Sequence, residues 1–103
     1  MSVKGAVKEQ VKDKSKPDVR EPKMYKVIML NDDFTTMEFV VDILITVFDK
    51  DPVTAEELMM QVHRGGRAVV AVYPYDIAVT KVKTAMERAK AEGFPFRMLT
   101  EEA

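Results

Sequence analysis

The chain has 103 residues, of which 47% are hydrophobic and 32% are charged, and its formal net charge at pH 7 is −1. This length supports one domain with one core, and the balanced charge excludes a generally basic nucleic-acid-binding protein. No apolar run approaches the roughly 20 residues that a membrane-spanning helix needs, and no signal-type apolar stretch is found at the N-terminus. The absence of cysteine excludes disulfides, zinc–thiolate sites and cysteine catalysis. We therefore expect a cytoplasmic protein that binds neither nucleic acid nor membrane.

Residues 1–23 differ in composition from the rest of the chain. They contain seven basic and four acidic residues, two of the five prolines, and no Ile, Leu or aromatic residue. Such a segment cannot bury enough apolar surface to offset the entropy lost on ordering it. We therefore predict a flexible tail over residues 1–23 and a single domain over residues 24–103.

The first half of the predicted domain contains one strand and one helix. The β-forming run at 24–30 stops at Asn31-Asp32-Asp33, which is typical of a strand that meets a turn. Thr35 and Glu38 have the spacing of a capping box and predict that a helix begins there. From residue 37 to residue 48 the only polar residues are four apart (Glu38, Asp42 and Thr46), so this helix should have one narrow exposed stripe.

The second half predicts two further helices and two strands. A capping box at Thr54–Glu57 opens a helix that Gly65-Gly66 ends, and residues 68–73 form a strand that Pro74 stops. A long helix then begins at Asp76 and closes at Gly93, and residues 95–100 form the last strand. The third helix should bury one apolar face, consisting of Ala78, Val82, Ala85, Met86 and Ala89. The order β-α-α-β-α-β predicts an α+β domain, with a three-stranded antiparallel sheet covered by three helices.

The sequence argues against familiar catalytic sites in this domain. Serine occurs only at positions 2 and 15, so no Ser-His-Asp triad can form there. The four glycines form neither a phosphate loop nor a dinucleotide fingerprint, and a single histidine cannot build a His-rich metal site. Asn31-Asp32-Asp33 lacks the spacing of a calcium loop. We therefore predict no metal, no cofactor and no enzymatic activity.

The residues that follow the first strand are better suited to binding. Alternation along a strand would place Asn31 and Asp33 on the same side, with Asp32 opposite. Carboxylate and amide oxygens there could accept hydrogen bonds from an ammonium group. The same residues could instead form a simple turn that favours the following helix dipole. Similarly, His63 on its own is more typical of a structural or surface residue, and the methionines are more typical of core than of a binding pocket.

Three long segments together resemble one family. YKVIMLNDDFTTMEFVVDIL, LMMQVHRGGRAVVAVYPYDIAVTKV and GFPFRM follow in the order found in ClpS, the family of N-degron adaptors of the ClpAP or ClpCP protease. The resemblance runs from about Met24 to Thr100. No transit peptide precedes the domain, which favours a bacterial origin. The resemblance implies a monomer that binds N-degron peptides and proteins beginning with Phe, Tyr, Trp or Leu. It also implies delivery of these substrates to a ClpA- or ClpC-like AAA+ unfoldase.

The resemblance also implies roles for individual residues. The substrate α-amino group would be held by Asn31, Asp32, Asp33 and His63. Thr35 would support the loop and the next peptide unit, together with Asp32. The side-chain pocket would be lined by Met37, Val40, Met59, Val62 and Phe96. Asp76 and Lys81 would lie on the face that docks the unfoldase.

Three positions depart from the family pattern, and two other functions stay open. Thr36 stands where proline is frequent, Phe34 replaces a common tyrosine, and Val79 replaces a common glutamate on the docking face. One alternative is an interaction module that binds a partner helix in an apolar groove and ignores free N-termini. The other is a divalent-metal-dependent hydrolase that uses Asp32, Asp33 and Glu38.

Overall fold

The computed structural model describes residues 22–103, so most of the predicted tail, residues 1–21, lies outside the described part of the chain. The described residues form three helices and three strands in the predicted order, which confirms the α+β assignment. These elements are β1 (Met24–Leu30), α1 (Met37–Thr46), α2 (Pro52–Gly65), β2 (Arg67–Pro74), α3 (Tyr75–Ala91) and β3 (Arg97–Glu102).

The sheet has the order β2-β1-β3, and both pairs of neighbouring strands are antiparallel, as predicted. β1 is therefore the central strand. Its start faces the end of both neighbours, since Tyr25 pairs with Tyr73 on one side and with Glu102 on the other. The register against β2 shifts between Val27 and Ile28, which marks a bulge in that pair.

The core lies between the sheet and the helices. Val27 and Met29 of β1 are fully buried in it, together with Ile43 and Leu44 of α1. The predicted inner face of α3 is confirmed. Its three alanines are buried and its Val82 and Met86 pack against the core. The predicted exposed stripe of α1 is also confirmed, because Glu38, Asp42 and Thr46 are all exposed.

Both predicted N-terminal caps, Thr35 and Thr54, are wrong, by one and three residues respectively. α1 is capped by Thr36 rather than Thr35, and the Thr36 side chain accepts a hydrogen bond from the Phe39 amide at 3.1 Å. α2 begins at Pro52, and its cap is the Asp51 carboxylate, which accepts a hydrogen bond from the Thr54 amide at 2.8 Å. Proline suits the first position of a helix, where its missing N–H is not needed. In both helices a residue near the predicted threonine, and not that threonine itself, provides the cap.

Other element ends also differ from the prediction. α1 ends at Thr46, two residues early, and the chain then turns through Asp49 in a left-handed conformation with φ of 59°. β2 includes Pro74, which an edge strand tolerates at its end. α3 begins at Tyr75, one residue early, and ends at Ala91. β3 runs from Arg97 to Glu102 instead of 95–100, because its last residues continue to pair with the start of β1.

Candidate functional site

The loop between β1 and α1 is anchored where the chain leaves β1. The Asn31 amide donates a hydrogen bond to the Gly66 carbonyl at 3.0 Å, which ties the end of β1 to the end of α2. Gly66 has φ of 88°, a left-handed conformation that glycine adopts without steric cost, so α2 stops where this bond can form. Sequence reasoning identified Gly65-Gly66 only as a helix end and missed this anchoring role.

Asp32 organises the inside of the same loop. Its Oδ1 atom accepts hydrogen bonds from the amides of Phe34 at 2.8 Å and Thr35 at 2.7 Å. Its Oδ2 atom accepts a hydrogen bond from the Thr35 hydroxyl at 2.7 Å. Both oxygens of Asp32 are thus engaged by the loop itself, which leaves Asn31 and Asp33 as the more accessible acceptors.

The charge of Asp32 is stabilised by these contacts. Partial burial raises the pKa of this carboxyl, but the hydrogen bonds from the Thr35 hydroxyl and from the two amides outweigh that effect. The net result is a pKa below the ordinary value for aspartate. Asp32 is therefore an anion at neutral pH, and its loop is fixed in one shape.

A small cavity of about 200 Å³ opens beside this loop, between α1 and α2. The structure brings nine of the ten residues predicted for amino-group binding, loop support or the pocket to its wall. They are Asn31, Asp32, Asp33, Thr35, Met37, Val40, Met59, Val62 and His63. These residues come from one loop and two helices that are separated in the chain, and only the fold places them together.

The cavity has an apolar interior and a polar rim. Val40 and Val62 are buried, with 7% and 4% of their surfaces exposed, while Met37 is 46% exposed. Asn31, Asp33 and His63 are exposed at the rim. Because the predicted polar and apolar groups face one small space, the cavity can take one large apolar side chain with a cationic group beside it.

Phe96 is the predicted pocket residue that the structure places elsewhere. It is buried, with 4% exposed, and its ring packs edge-to-face on Phe39 at a centroid distance of 5.8 Å. Phe96 is not among the residues that line the cavity. It packs in the core instead, because edge-to-face contact with a neighbouring ring is a favourable arrangement.

The two residues predicted for docking lie on one helix but differ in environment. Asp76 is exposed in the first turn of α3. The Lys81 Nζ atom donates a hydrogen bond to the Val47 carbonyl at 2.7 Å, lies 3.7 Å from an Asp49 carboxylate oxygen, and is 5.5 Å from the centre of the Tyr73 ring. Lys81 therefore already holds the end of α1 against α3.

The arrangement of residues 22–103 bears on two other classes of function. No group of three or more His, Asp or Glu side chains is arranged there so that it could hold a metal ion, and the geometry gives the hydrolase alternative no support. None of the helices in this part of the chain is both long enough and apolar enough to cross a membrane.

Comparison with known proteins gives one family. Residues 20–99 match the family described as "ATP-dependent Clp protease adaptor protein ClpS". This match covers most of the chain, including the whole cavity. The chain belongs to the ClpS family.

Individual relatives agree with this assignment. A ClpS adapter protein of Clostridium acetobutylicum is 47% identical over 98 residues, which are 95% of each chain. A ClpS adapter protein of Paraburkholderia xenovorans is 50% identical over 99 residues, covering 96% of this chain and 91% of the relative. Among solved structures, Agrobacterium tumefaciens ClpS2 bound to L-phenylalaninamide is similar, with a TM-score of 0.78 and 47% identity. That similarity covers 81% of this chain and all of the ClpS2 chain.

Proposed function

We propose that this chain is a non-catalytic adaptor for substrates that begin with a large hydrophobic residue. It binds the free α-amino group and the side chain of Phe, Tyr, Trp or Leu, and delivers the substrate to a Clp unfoldase of the ClpA or ClpC type. The observation that carries the proposal is the cavity with an apolar interior and a rim of oxygen acceptors. The ClpS2 relative with phenylalaninamide supports it, because that ligand combines a free α-amino group with a phenyl ring.

In this proposal the polar rim recognises the α-amino group. At neutral pH the group is an ammonium with hydrogen atoms to donate, and the Asn31 side-chain oxygen and the Asp33 carboxylate can accept them. His63 would accept a further hydrogen bond through a ring nitrogen. Asp32 and Thr35 act on the loop, since the Asp32 oxygens already accept hydrogen bonds from within it.

The apolar interior recognises the first side chain. Met37 and Val40 are three residues apart on α1, and Met59 and Val62 are three apart on α2, so each pair lies on one helix face. The cavity volume of about 200 Å³ suits one side chain and is too small for a longer apolar segment. This favours recognition of a single terminal residue over capture of a partner helix.

The expected affinity is moderate. Burial of one large apolar side chain contributes about 1.5–3 kcal/mol, and each hydrogen bond to a charged group contributes about 1.5–3 kcal/mol before desolvation costs. Together these terms fit a dissociation constant in the micromolar range, near −8 kcal/mol. An adaptor with such an affinity can release its substrate to the unfoldase.

Delivery requires contacts beyond the pocket. We assign unfoldase docking to the face of α3 that carries Asp76 and Lys81, and engagement by the unfoldase to the N-terminal tail. Since Lys81 is held by Val47 and Asp49, and Val79 is exposed in place of the usual glutamate, docking by this chain should depend mainly on Asp76 and apolar contacts. The proposal includes a monomer that acts in the bacterial cytoplasm.

Acetylation of the substrate α-amino group tests the proposal. A fluorescent peptide that begins with Phe and an otherwise identical N-acetylated peptide are titrated with the protein, and binding is followed by anisotropy. Acetylation removes the charge and most of the hydrogen donors, so we expect at least a tenfold loss of affinity. A module that binds a partner helix would bind both peptides equally, and this result would overturn the proposal.

A further inference from the structure

A second groove, of about 400 Å³, lies between α1 and α2 and shares a wall with the cavity. Met37 and Met59 line both spaces and so separate them. The floor of the groove continues along α1 through Val41 and Ile45, which follow Met37 at intervals of four residues and share its helix face. The proposed recognition of a first residue does not use this apolar groove.

The rim of the groove is acidic. Glu38 and Asp42 of α1 and Glu56 of α2 contribute carboxylates to it. Asp42 is paired with Arg88 at 2.7 Å, whereas Glu38 and Glu56 have no ion-pair partner among residues 22–103. An occupant that complements the groove would therefore carry a short apolar stripe beside basic residues.

The chain itself contains a segment of this chemistry. Residues 3–12 repeat a Val-Lys pair every four residues. Its members are Val3, Lys4, Val7, Lys8, Val11 and Lys12. In a helix, residues four apart lie on one face, so the valines would form one stripe and the lysines a flank beside it. The apolar stripe of α1 has the same interval, and Glu38 and Asp42 follow Met37 and Val41 by one residue as the lysines follow the valines.

The connection is long enough. The Lys81 ammonium contacts both the Val47 carbonyl, just past the end of α1, and the ring of Tyr73, which pairs with Tyr25. The C-terminal end of α1 therefore lies at the edge of the domain where β1 begins. Residues 13–23 could span up to about 36 Å when extended, while α1, with 10 residues, is about 15 Å long.

We propose that residues 3–12 dock in the groove between α1 and α2 of the same chain, with the valines on Met37, Val41 and Ile45 and the lysines toward the acidic rim. Residues 1–23 cannot build a core of their own, but the groove supplies the apolar partner that they lack. An isolated helix of this length is marginal in water, so the docked segment is released easily. Because Met37 and Met59 lie between groove and cavity, the docked segment does not enter the peptide pocket.

Paramagnetic relaxation in the full chain tests the docking. The chain has no cysteine, so Ser2→Cys provides a single site for a nitroxide label. We expect at least a twofold loss of amide signal at Val41 and Ile45 when the label is oxidised, relative to the reduced state. The same label in a chain that also carries Val7→Asp and Val11→Asp should give no such loss. Equal broadening in both chains, or none in either, would overturn the proposal.

Charge reversal provides a second, independent test. Glu38→Lys with Glu56→Lys should at least halve the broadening, and adding Lys4→Glu with Lys8→Glu should restore it. Failure of the second pair to restore the effect contradicts the assigned contacts. As a control, nitroxide-labelled chain without isotopes is mixed with isotope-labelled chain that carries no nitroxide. The isotope-labelled chain must show no broadening. If it does, the occupant is a second copy and docking within one chain is wrong.

Peptide binding separates this inference from the proposed function. The Val7→Asp, Val11→Asp chain should bind a Phe-starting peptide with an affinity within twofold of the wild type, because the tail lies outside the pocket. Normal peptide binding in a chain that shows no docking leaves the adaptor function intact and removes only the inference. A more than twofold change in peptide affinity contradicts a docked segment that stays clear of the cavity.

Discussion

At the scale of single residues, the two neighbouring carboxylates of the loop after β1 lie in different environments. Asp32 accepts three hydrogen bonds from within the loop, whereas Asp33 is exposed at the rim of the cavity. One carboxylate therefore fixes the shape of the loop, and the other stays accessible to an incoming cation. Both belong to the same three-residue motif, so substitutions at these two adjacent positions should have different consequences.

Substitution of Asp33 should affect binding and leave the fold intact. Asp33→Ala removes the main negative charge that faces the ammonium, and we expect a loss of at least about 1.5–3 kcal/mol in binding free energy. The free energy of unfolding should change little, because this carboxylate is not in the core. Anisotropy titration with a Leu-starting peptide measures the effect, with Glu57→Ala on the exposed part of α2 as a matched control. Affinity within a factor of two of the wild type would show that the assignment is wrong.

Substitution of Asp32 should affect stability in a pH-dependent way. Asp32→Ala removes the loop hydrogen bonds, and we expect a loss of about 1 kcal/mol in the free energy of unfolding at pH 7, similar to the loss of a helix cap. Because folding lowers the pKa of this carboxyl, its contribution is present above the unfolded value of about 3.9. The contribution disappears as the pH falls through the lower folded value.

Urea denaturation of wild type and Asp32→Ala at pH 7 and near pH 3 measures this dependence. The difference in unfolding free energy between the two proteins should shrink at the lower pH. A difference that is equal at both pH values would mean that the charged form of Asp32 contributes nothing to the loop.

Met37 should decide which side chains enter the pocket. It lies in the first turn of α1 and lines the cavity, so we expect its side chain to point back over the preceding turn and to cover the mouth of the cavity. A substrate that begins with Ile or Val carries a branch at the β-carbon and should collide with it, whereas Leu and Phe branch one carbon later. Met37→Ala should therefore admit Ile and Val, retain Leu and Phe, and lose some affinity through reduced contact.

Anisotropy titrations of Ile- and Leu-starting peptides measure this change in selectivity. Met60→Ala is the matched control, because Met60 follows Met59 on α2 but lines a different surface. If the Met37→Ala protein still rejects the Ile peptide while it binds the Leu peptide normally, Met37 is not the gate.

At the scale of elements, the entry to α1 explains one departure from the family pattern. Thr36 is the N-cap residue, with φ of −71° and ψ of 149°. Proline adopts this φ without strain, so the backbone here is compatible with the proline that is frequent in the family. Threonine instead provides a hydroxyl that accepts a hydrogen bond from the Phe39 amide. The departure therefore exchanges a stiffer backbone for a side-chain cap.

The cap of α1 should contribute measurably to stability. Thr36→Ala removes the acceptor of the Phe39 amide, and we expect a loss of about 1 kcal/mol in the free energy of unfolding. Thr36→Ser keeps the hydroxyl and should stay close to the wild type. Thermal and urea denaturation of the three proteins measure the difference. Equal stability of the alanine and serine variants would contradict the cap.

Most of the elements could be predicted from the sequence, but their exact ends could not. Periodicity identified the buried face of α3 and the exposed stripe of α1, since these patterns are local. The predicted caps were wrong because each helix start offers two side chains that are able to cap, namely Thr35 and Thr36 for α1, and Asp51 and Thr54 for α2. Only the path of the backbone decides which of the two does so. The cavity is formed by a loop and two helices. Sequence spacing could show which residues share a face within one helix, but not which faces of different helices meet. The resemblance to ClpS brought the two helices and the loop into one predicted site.

Phe96 is the one predicted pocket residue that does not line the cavity. The resemblance implied a pocket role, and an aromatic residue near the end of the chain fits both a pocket and a core. The structure favours the core because the ring of Phe39 offers a packing partner there. Such a choice between two apolar environments depends on distant side chains and is not encoded in the local pattern.

At the scale of the whole molecule, peptide binding and delivery should be separable. Deletion of residues 1–21 removes the segment that we assign to unfoldase engagement and leaves the cavity intact. We expect normal affinity for a Leu-starting peptide but loss of Clp-dependent degradation of a Leu-starting reporter. Degradation at the wild-type rate without the tail would show that residues 1–21 have no role in delivery. A full-length chain with Asp33→Ala is the converse control, since it should fail in both assays.

The central position of β1 has a consequence for how the domain bears a pulling force. The N-terminal segment leads directly into this strand, which is hydrogen-bonded to β2 on one side and to β3 on the other. A motor that pulls on the segment along the strand would have to break the hydrogen bonds of β1 to both β2 and β3 together. A force parallel to the strand loads all of these bonds at once and cannot open them one residue pair at a time. The domain should therefore resist mechanical extraction while the pocket, at the far end of the same strand, keeps its shape under load.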